Sequence, residues 1–235
     1  MRIRRHASSD AVGLELAQAI ANTLQPGSRL ALPSGETPRK AYRLLGEWVA
    51  AGRISFAGTT IFALDEYWGL APEHPASFAR FFSEALLDRI NLPSGAFHAP
   101  RGDAPDARRE AARYEALIAD GGLDLAVLGI GRNGHIAFNE PGAWLEATTH
   151  VATLSEATRA GMPAGLETVQ EGLTMGVGTI LQARKVLLGA TGTSKAEAVA
   201  RAFGGRVDPR WPASLLQVHP DAEVLLDPGA ASLLI

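Results

Sequence analysis

Residues able to do acid-base and anion-binding chemistry gather in four short segments of this 235-residue chain. In Phe62-Ala63-Leu64-Asp65-Glu66-Tyr67-Trp68 an apolar run leads directly into two adjacent carboxylates. An acid at the carboxyl end of a parallel strand faces a ligand crevice partly desolvated, which suits Asp65 to general-base work, although a lone acid there also suits a turn cap. In Gly129-Ile130-Gly131-Arg132-Asn133-Gly134-His135-Ile136-Ala137-Phe138-Asn139-Glu140-Pro141-Gly142 the glycines permit close approach of backbone to a ligand, and His135 and Glu140 form a candidate proton-transfer pair. A single histidine is more often structural. Here Asn133, His135, Asn139 and Glu140 are concentrated just beyond the most apolar run of the chain, the place where α/β sheets bind ligands.

Two further segments suit an anion. Leu32-Pro33-Ser34-Gly35-Glu36-Thr37-Pro38 lies between a strand-like and a helix-like run, with Thr37 as the expected cap and Pro38 as the first helical residue. Backbone N–H groups of Ser34, Gly35, Glu36 and Thr37, with the two hydroxyls, would cradle a phosphate at the helix N-terminus; the same features make an ordinary capped turn. In Thr191-Gly192-Thr193-Ser194-Lys195, Lys195 opposes a helix dipole, a cost that a bound anion offsets; taken alone it is a solvated lysine. Neither loop ends in the Gly-Lys-Ser/Thr of a Walker motif, and although Gly129 to Gly134 has GxGxxG spacing, no helical pattern opens behind it, so a dinucleotide site is not expected. His219 reads as structural.

The elements that must position these loops follow from hydrophobic spacing. Helical patterns are expected at 10–24, 38–49, 77–89, 106–119, roughly 175–183, and 194–203. Strand-like runs are expected at 29–32, 59–64, 123–130, 150–154, 185–190 and 223–226. Their alternation implies right-handed crossovers and a mostly parallel sheet covered on both faces, with the non-alternating Leu125–Ile130 run at its centre. One domain over residues 1–235 is the expectation from length and the absence of linkers or repeats.

Composition excludes much else. Hydrophobic residues make up 46% and charged residues 20%, which is globular rather than disordered. With 22 Lys and Arg against 25 Asp and Glu, the net charge of -3 offers no general attraction to nucleic acid or an anionic membrane, so no partner of either kind is expected. Zero cysteines remove disulfides, thiolate metal sites and a cysteine nucleophile. The polar start MRIRRHASSD and the lack of a long apolar run make the cytoplasm the expected location. No amphipathic segment is left clearly unpartnered, so the oligomeric state is not legible.

From the Pro33 loop through LDEYWGL (64–70), HPASFARFF (74–82), GHIAFNEPG (134–142), TMGVGTIL (174–181) and the Lys195 loop, the sequence resembles the glucosamine-6-phosphate deaminase family, which belongs with the sugar isomerases and 6-phosphogluconolactonases. The resemblance implies a three-layer α/β/α fold with a mostly parallel, Rossmann-like central sheet. It also implies a phosphorylated amino sugar as substrate and a mechanism without metal or organic cofactor. By motif position, His135 opens the pyranose ring and Glu140 sets its orientation and protonation. Asp65 moves the proton from C2 to C1, and the Ser34–Thr37 loop with Lys195 holds the phosphate. Phe138-Asn139-Glu140-Pro141 favours the deaminases over the lactonases.

Three departures stand out. Asn133 occupies a position where many members carry aspartate, and an amide does not stabilise an imidazolium as a carboxylate does. The family's phosphate-binding arginine has no clear counterpart, Arg159 lying nearby without matching surroundings. Asn133-Gly134-His135 and Pro212-Ala213-Ser214 look more like galactosamine-6-phosphate deaminases. That epimer is therefore the alternative substrate, followed by a lactone and by a sensor without turnover. The larger relatives' C-terminal extension has no equivalent before Ile235, so regulation through it is not expected.

Overall fold

The computed structural model describes residues 1–234. Seven strands form one all-parallel sheet in the order β1-β10-β9-β6-β2-β3-β5. They are β1 (Arg2–Arg5), β2 (Arg29–Leu32), β3 (Thr60–Ala63), β5 (Phe97–His98), β6 (Leu125–Leu128), β9 (Lys185–Ala190) and β10 (Ala222–Leu226). The central β6 is buried along its whole length, and the period of two sends its side chains to opposite layers. Leu125 and Val127 join a cluster with Leu16, Leu45 and Phe56, while Ala126 and Leu128 join one with Tyr114, Ile180 and Val199.

Helices α1 (Ser9–Thr23), α2 (Glu36–Ala50) and α3 (Phe78–Ala85) cover the first face. Helices α4 (Ala107–Ala119), α6 (Val177–Leu181) and α7 (Ala196–Phe203) cover the second. This is the expected three-layer α/β/α arrangement. Among the described residues, no helix is long and apolar enough to cross a membrane.

The expected run at 150–154 is a strand, β7 (His150–Thr153), but it lies outside the parallel sheet. It pairs antiparallel with β8 (Glu171–Thr174), which pairs antiparallel with β4 (Asp65–Tyr67). Tyr67, Leu70, Phe138 and Leu154 pack beneath this small sheet as a core of their own. Helix α2 also begins earlier than expected. Gly35, at φ 104, is its N-terminal flank, a conformation open to glycine that turns the chain into the helix before Thr37 is reached. Thr37 therefore caps nothing; its hydroxyl lies 3.5 Å from that of Thr191. The expected helix at 77–89 divides into α3 and a 3₁₀ turn at Leu87–Arg89, and α7 is preceded by a 3₁₀ turn at Thr193–Lys195.

Glu66 fastens the small sheet to α3. Its buried carboxylate accepts hydrogen bonds from the backbone N–H groups of Tyr67, Phe78 and Ala79 and from the Ser77 hydroxyl, at 2.7–3.0 Å. Burial still raises its pKa, against the pull of these donors. Removing the acceptor strands buried donors, each loss costing about 1–3 kcal/mol. Glu66→Ala should therefore lower unfolding stability by about 3 kcal/mol or more, and Glu66→Gln, which keeps one acceptor oxygen, by less. The midpoint of urea unfolding checks this; a change within about 0.5 kcal/mol for Glu66→Ala would show that the network does not anchor α3.

Candidate active site

The sheet reverses its winding between β2 and β6. From β2 the chain steps outward to β3 and β5, then returns through β6 to the other side of β2. At such a switch point adjacent loops diverge at the carboxyl edge and leave a crevice. A cavity of about 590 Å³ opens there, lined by the loops after β2, β3, β6 and β9. That size suits a small ligand.

Asp65 lies where the apolar β3 run ends and β4 begins, and it is only 7% exposed. Its carboxyl lines the cavity and has no hydrogen bond or ion pair among the described residues. Burial first, and the neighbouring Glu66 carboxylate second, push its pKa up to about 8.

His135 enters from the loop after β6. Its ring lies against Gly131, where an added Cβ would come within 2.4 Å of the imidazole, so this position has room only for glycine. Nδ1 faces the Thr158 hydroxyl at 3.1 Å and Glu140 Oε2 at 3.5 Å. Thr158 donates to Glu140 Oε1, so its oxygen is left to accept from Nδ1–H. That assigns the neutral tautomer and leaves Nε2 as the proton-exchanging nitrogen.

Glu140 is not itself on the cavity wall; it stands behind the imidazole. Burial opposes its ionisation, but the hydrogen bond and charge of His135, with bonds from Thr158 and Asn133, outweigh burial and hold the carboxyl down to about 2. Asn133 touches Glu140 rather than the imidazole. Its amide donates to Glu140 Oε2 at 2.8 Å and to Ser155 Oγ at 3.1 Å, and its Oδ1 accepts from the backbone N–H of His135 at 3.2 Å. Ser155 caps the short helix α5 (Glu156–Arg159) that carries Thr158.

The rest of the lining holds groups of the types suited to an anion. Ser34, Gly35, Glu36 and Thr37 all line the cavity, and the first-turn N–H groups of α2 have no side-chain cap. Glu36 has its Oε1 paired with Arg39 at 2.7 Å. Lys195 also lines the cavity, with no carboxylate in ion-pair range among the described residues. Burial, then the charge of Arg132, lowers its pKa. Asp227 accepts from the N–H of Gly192 at 3.0 Å and fixes this loop.

Sequence reasoning missed Ser155, Thr158, Arg132 and Asp227. Arg132 alone carried a signal, as a cation inside the glycine-rich segment. Arg159 does not line the cavity, and buried His219 is bonded to the Ala183 carbonyl at 2.9 Å, as a structural histidine is. Among the described residues, no group of three or more His, Asp or Glu is placed to hold a metal ion.

The contact between Asn133 and Glu140 generates a test. Asn133→Asp removes a donor from Glu140 and puts a second carboxylate beside it, so Glu140 should protonate at higher pH as part of a coupled pair. A Glu140 carboxyl that keeps its proton steadies an imidazolium on His135 less, so kcat/KM of Asn133→Asp should fall below that of wild type, most on the acidic side of the profile. Superimposable profiles for wild type and Asn133→Asp would mean that the amide only shapes the loop.

The family described as glucosamine-6-phosphate isomerases/6-phosphogluconolactonase matches residues 4–226. The glucosamine-6-phosphate deaminase of Rhodopirellula baltica is 46% identical over 215 residues, covering 89% of this chain and 86% of that relative. The glucosamine-6-phosphate deaminase of Bacillus pumilus is 39% identical over an alignment of 240 residues, 99% of this chain and 100% of the relative. A solved monomeric glucosamine-6-phosphate deaminase superposes with a TM-score of 0.95 at 37% identity, covering 99% of this chain and 100% of the other. The 6-phosphogluconolactonase from Trypanosoma cruzi, at 22% identity and a TM-score of 0.79, shares the fold. Matched along nearly its whole length, the chain belongs to the glucosamine-6-phosphate isomerase/6-phosphogluconolactonase family.

Proposed function

We propose that this cavity isomerises and deaminates glucosamine 6-phosphate, giving fructose 6-phosphate and ammonia. One observation carries the reading: an unpartnered buried Asp65 and a His135 backed by Glu140 share one cavity with an unpaired Lys195. Deaminases at 39–46% identity over most of the chain support it.

In this reading His135 Nε2 carries the proton between the anomeric hydroxyl and the ring oxygen as the pyranose opens. Glu140, itself ionised, stabilises the imidazolium form through Nδ1, with Thr158 between them. Asp65 then takes the C2 proton, giving an enolamine, and returns it at C1. The resulting C2 imine adds water and loses ammonia, leaving the ketose. Ser34, Gly35, Glu36 and Thr37 supply backbone N–H groups and hydroxyls for the phosphate, with Lys195 and Arg132 as its cations. This remote binding energy positions the sugar over Asp65. A cytoplasmic setting belongs to the same reading, supported by the cysteine-free composition.

Asp65→Asn should lower kcat at least about 100-fold while leaving inhibition by inorganic phosphate unchanged, since it removes a base and preserves size. Retention of more than about a tenth of the wild-type rate would reject Asp65 as the base. Lys195→Ala should raise KM for the sugar phosphate and weaken phosphate inhibition, because one cation facing the anion is lost. Unchanged phosphate inhibition would return Lys195 to a solvated role. Ammonia release from glucosamine 6-phosphate and galactosamine 6-phosphate, run beside a lactonase assay, tests the activity itself.

A further inference from the structure

Two adjacent acids at the end of one strand are treated in opposite ways. Glu66 accepts from four donors, whereas Asp65 has none among the described residues. A buried carboxyl with neither donor nor counter-ion keeps its proton, and burial with the adjacent Glu66 holds Asp65 up to about 8. Other titratable groups do not relieve it. Tyr67 follows it on β4 and Tyr114 approaches from α4, both acidic groups whose own ionisation it opposes. His135, Arg132 and Lys195 share the cavity but make no ion pair with it. A base must be ionised to take a proton, so the empty cavity near pH 7 holds its base in the wrong state.

Among the described residues, only two acids line the cavity, Glu36 and Asp65. Glu36 is 85% exposed at its side chain and already paired with Arg39. A cation delivered to the interior therefore meets one unpartnered acid. Resting on the amino-sugar reading above, we propose that the ammonium at C2 of the substrate is the counter-ion that ionises Asp65, so that the base is armed only when the bound sugar carries an amine. The carboxyl loses its proton to solvent as the ligand seats, and the ammonium keeps its own. A sugar phosphate with a hydroxyl at C2 fills the same cavity and leaves Asp65 protonated. Selection for amino sugars thus lies in the charge state of the base as well as in contacts.

The test is the proton count on binding, by titration calorimetry of the intact protein near pH 7 in buffers of differing ionisation enthalpy. The probes are 2-amino-2-deoxyglucitol 6-phosphate and glucitol 6-phosphate. Neither has a carbonyl, so neither turns over, and their phosphates are identical, so phosphate ionisation cancels. The amino alditol should release about one proton more per site than the hydroxy alditol, and the excess should vanish in Asp65→Asn. In wild type, the affinity advantage of the amino alditol should also grow as pH rises from 6 to 8, a readout that does not depend on the variant folding. Equal proton release by the two alditols, or an excess that persists in Asp65→Asn, overturns the proposal. Ammonia release from glucosamine 6-phosphate by the same preparation separates the readings. Turnover with equal proton release leaves the deaminase standing and removes the ammonium switch, while neither turnover nor binding overturns both.

Discussion

Parallel strands all end at one edge of their sheet, and the winding direction reverses between β2 and β6. No crossover helix can cover both sides of such a reversal, so the loops after β2 and β6 separate and the cavity forms between them. Everything chemical depends on this. The loop after β2 brings Ser34 and the start of α2 to the cavity, the loop after β6 delivers His135, and the loop after β9 delivers Lys195. The crevice lies over the most apolar part of the molecule, so charges placed there are only partly hydrated. The shifts of Asp65 and Lys195 both begin with that burial.

Within a dry site, the local supply of hydrogen-bond donors decides what each carboxylate does. Glu66, saturated by α3, is structural. Glu140 has four neighbouring donor groups, on Asn133, Ser155, Thr158 and His135, and stays ionised far below the ordinary glutamate range, as a group proposed to steady an imidazolium would need. Asp65 has none and resists ionisation. Three acids of similar intrinsic strength are thereby set to different tasks, in the manner by which environment separates acid from base in enzyme sites.

Much of this is legible in the sequence, for reasons that also mark its limits. β6 and β9 are readable because strands buried on both faces must be apolar without interruption. β1, Arg-Ile-Arg-Arg, carries no such signal; it is an exposed edge strand held by its register with β10 and by the pairing of Arg2 and Arg4 with Glu223. The two residues of β5 are too short to show a period. At the site, Asp65, His135 and Lys195 are recognisable because they follow strands directly. Thr158 follows no long element and meets His135 only because the loop rising from β7 returns across the cavity, a long-range arrangement that local spacing does not encode. Gly131 looks like ordinary loop punctuation until the imidazole is seen against it.

Asp65 and Lys195 pose the same electrostatic problem with opposite sign. Burial pulls Lys195 down and pushes Asp65 up, so each is displaced toward its uncharged form, and no charged protein side chain is paired with either among the described residues. Pairing each of them internally would have stabilised the empty protein and blocked the site, since a saturated salt bridge must be broken before a ligand can use its members. Leaving both unsatisfied makes the empty cavity electrostatically costly and reserves the compensation for a ligand that is anionic at one end and cationic at the other. A phosphorylated amino sugar has that charge distribution. On the reading proposed above, its phosphate would relieve Lys195 and Arg132 and its ammonium would relieve Asp65, so that recognition and activation of the base would arise from a single charge match.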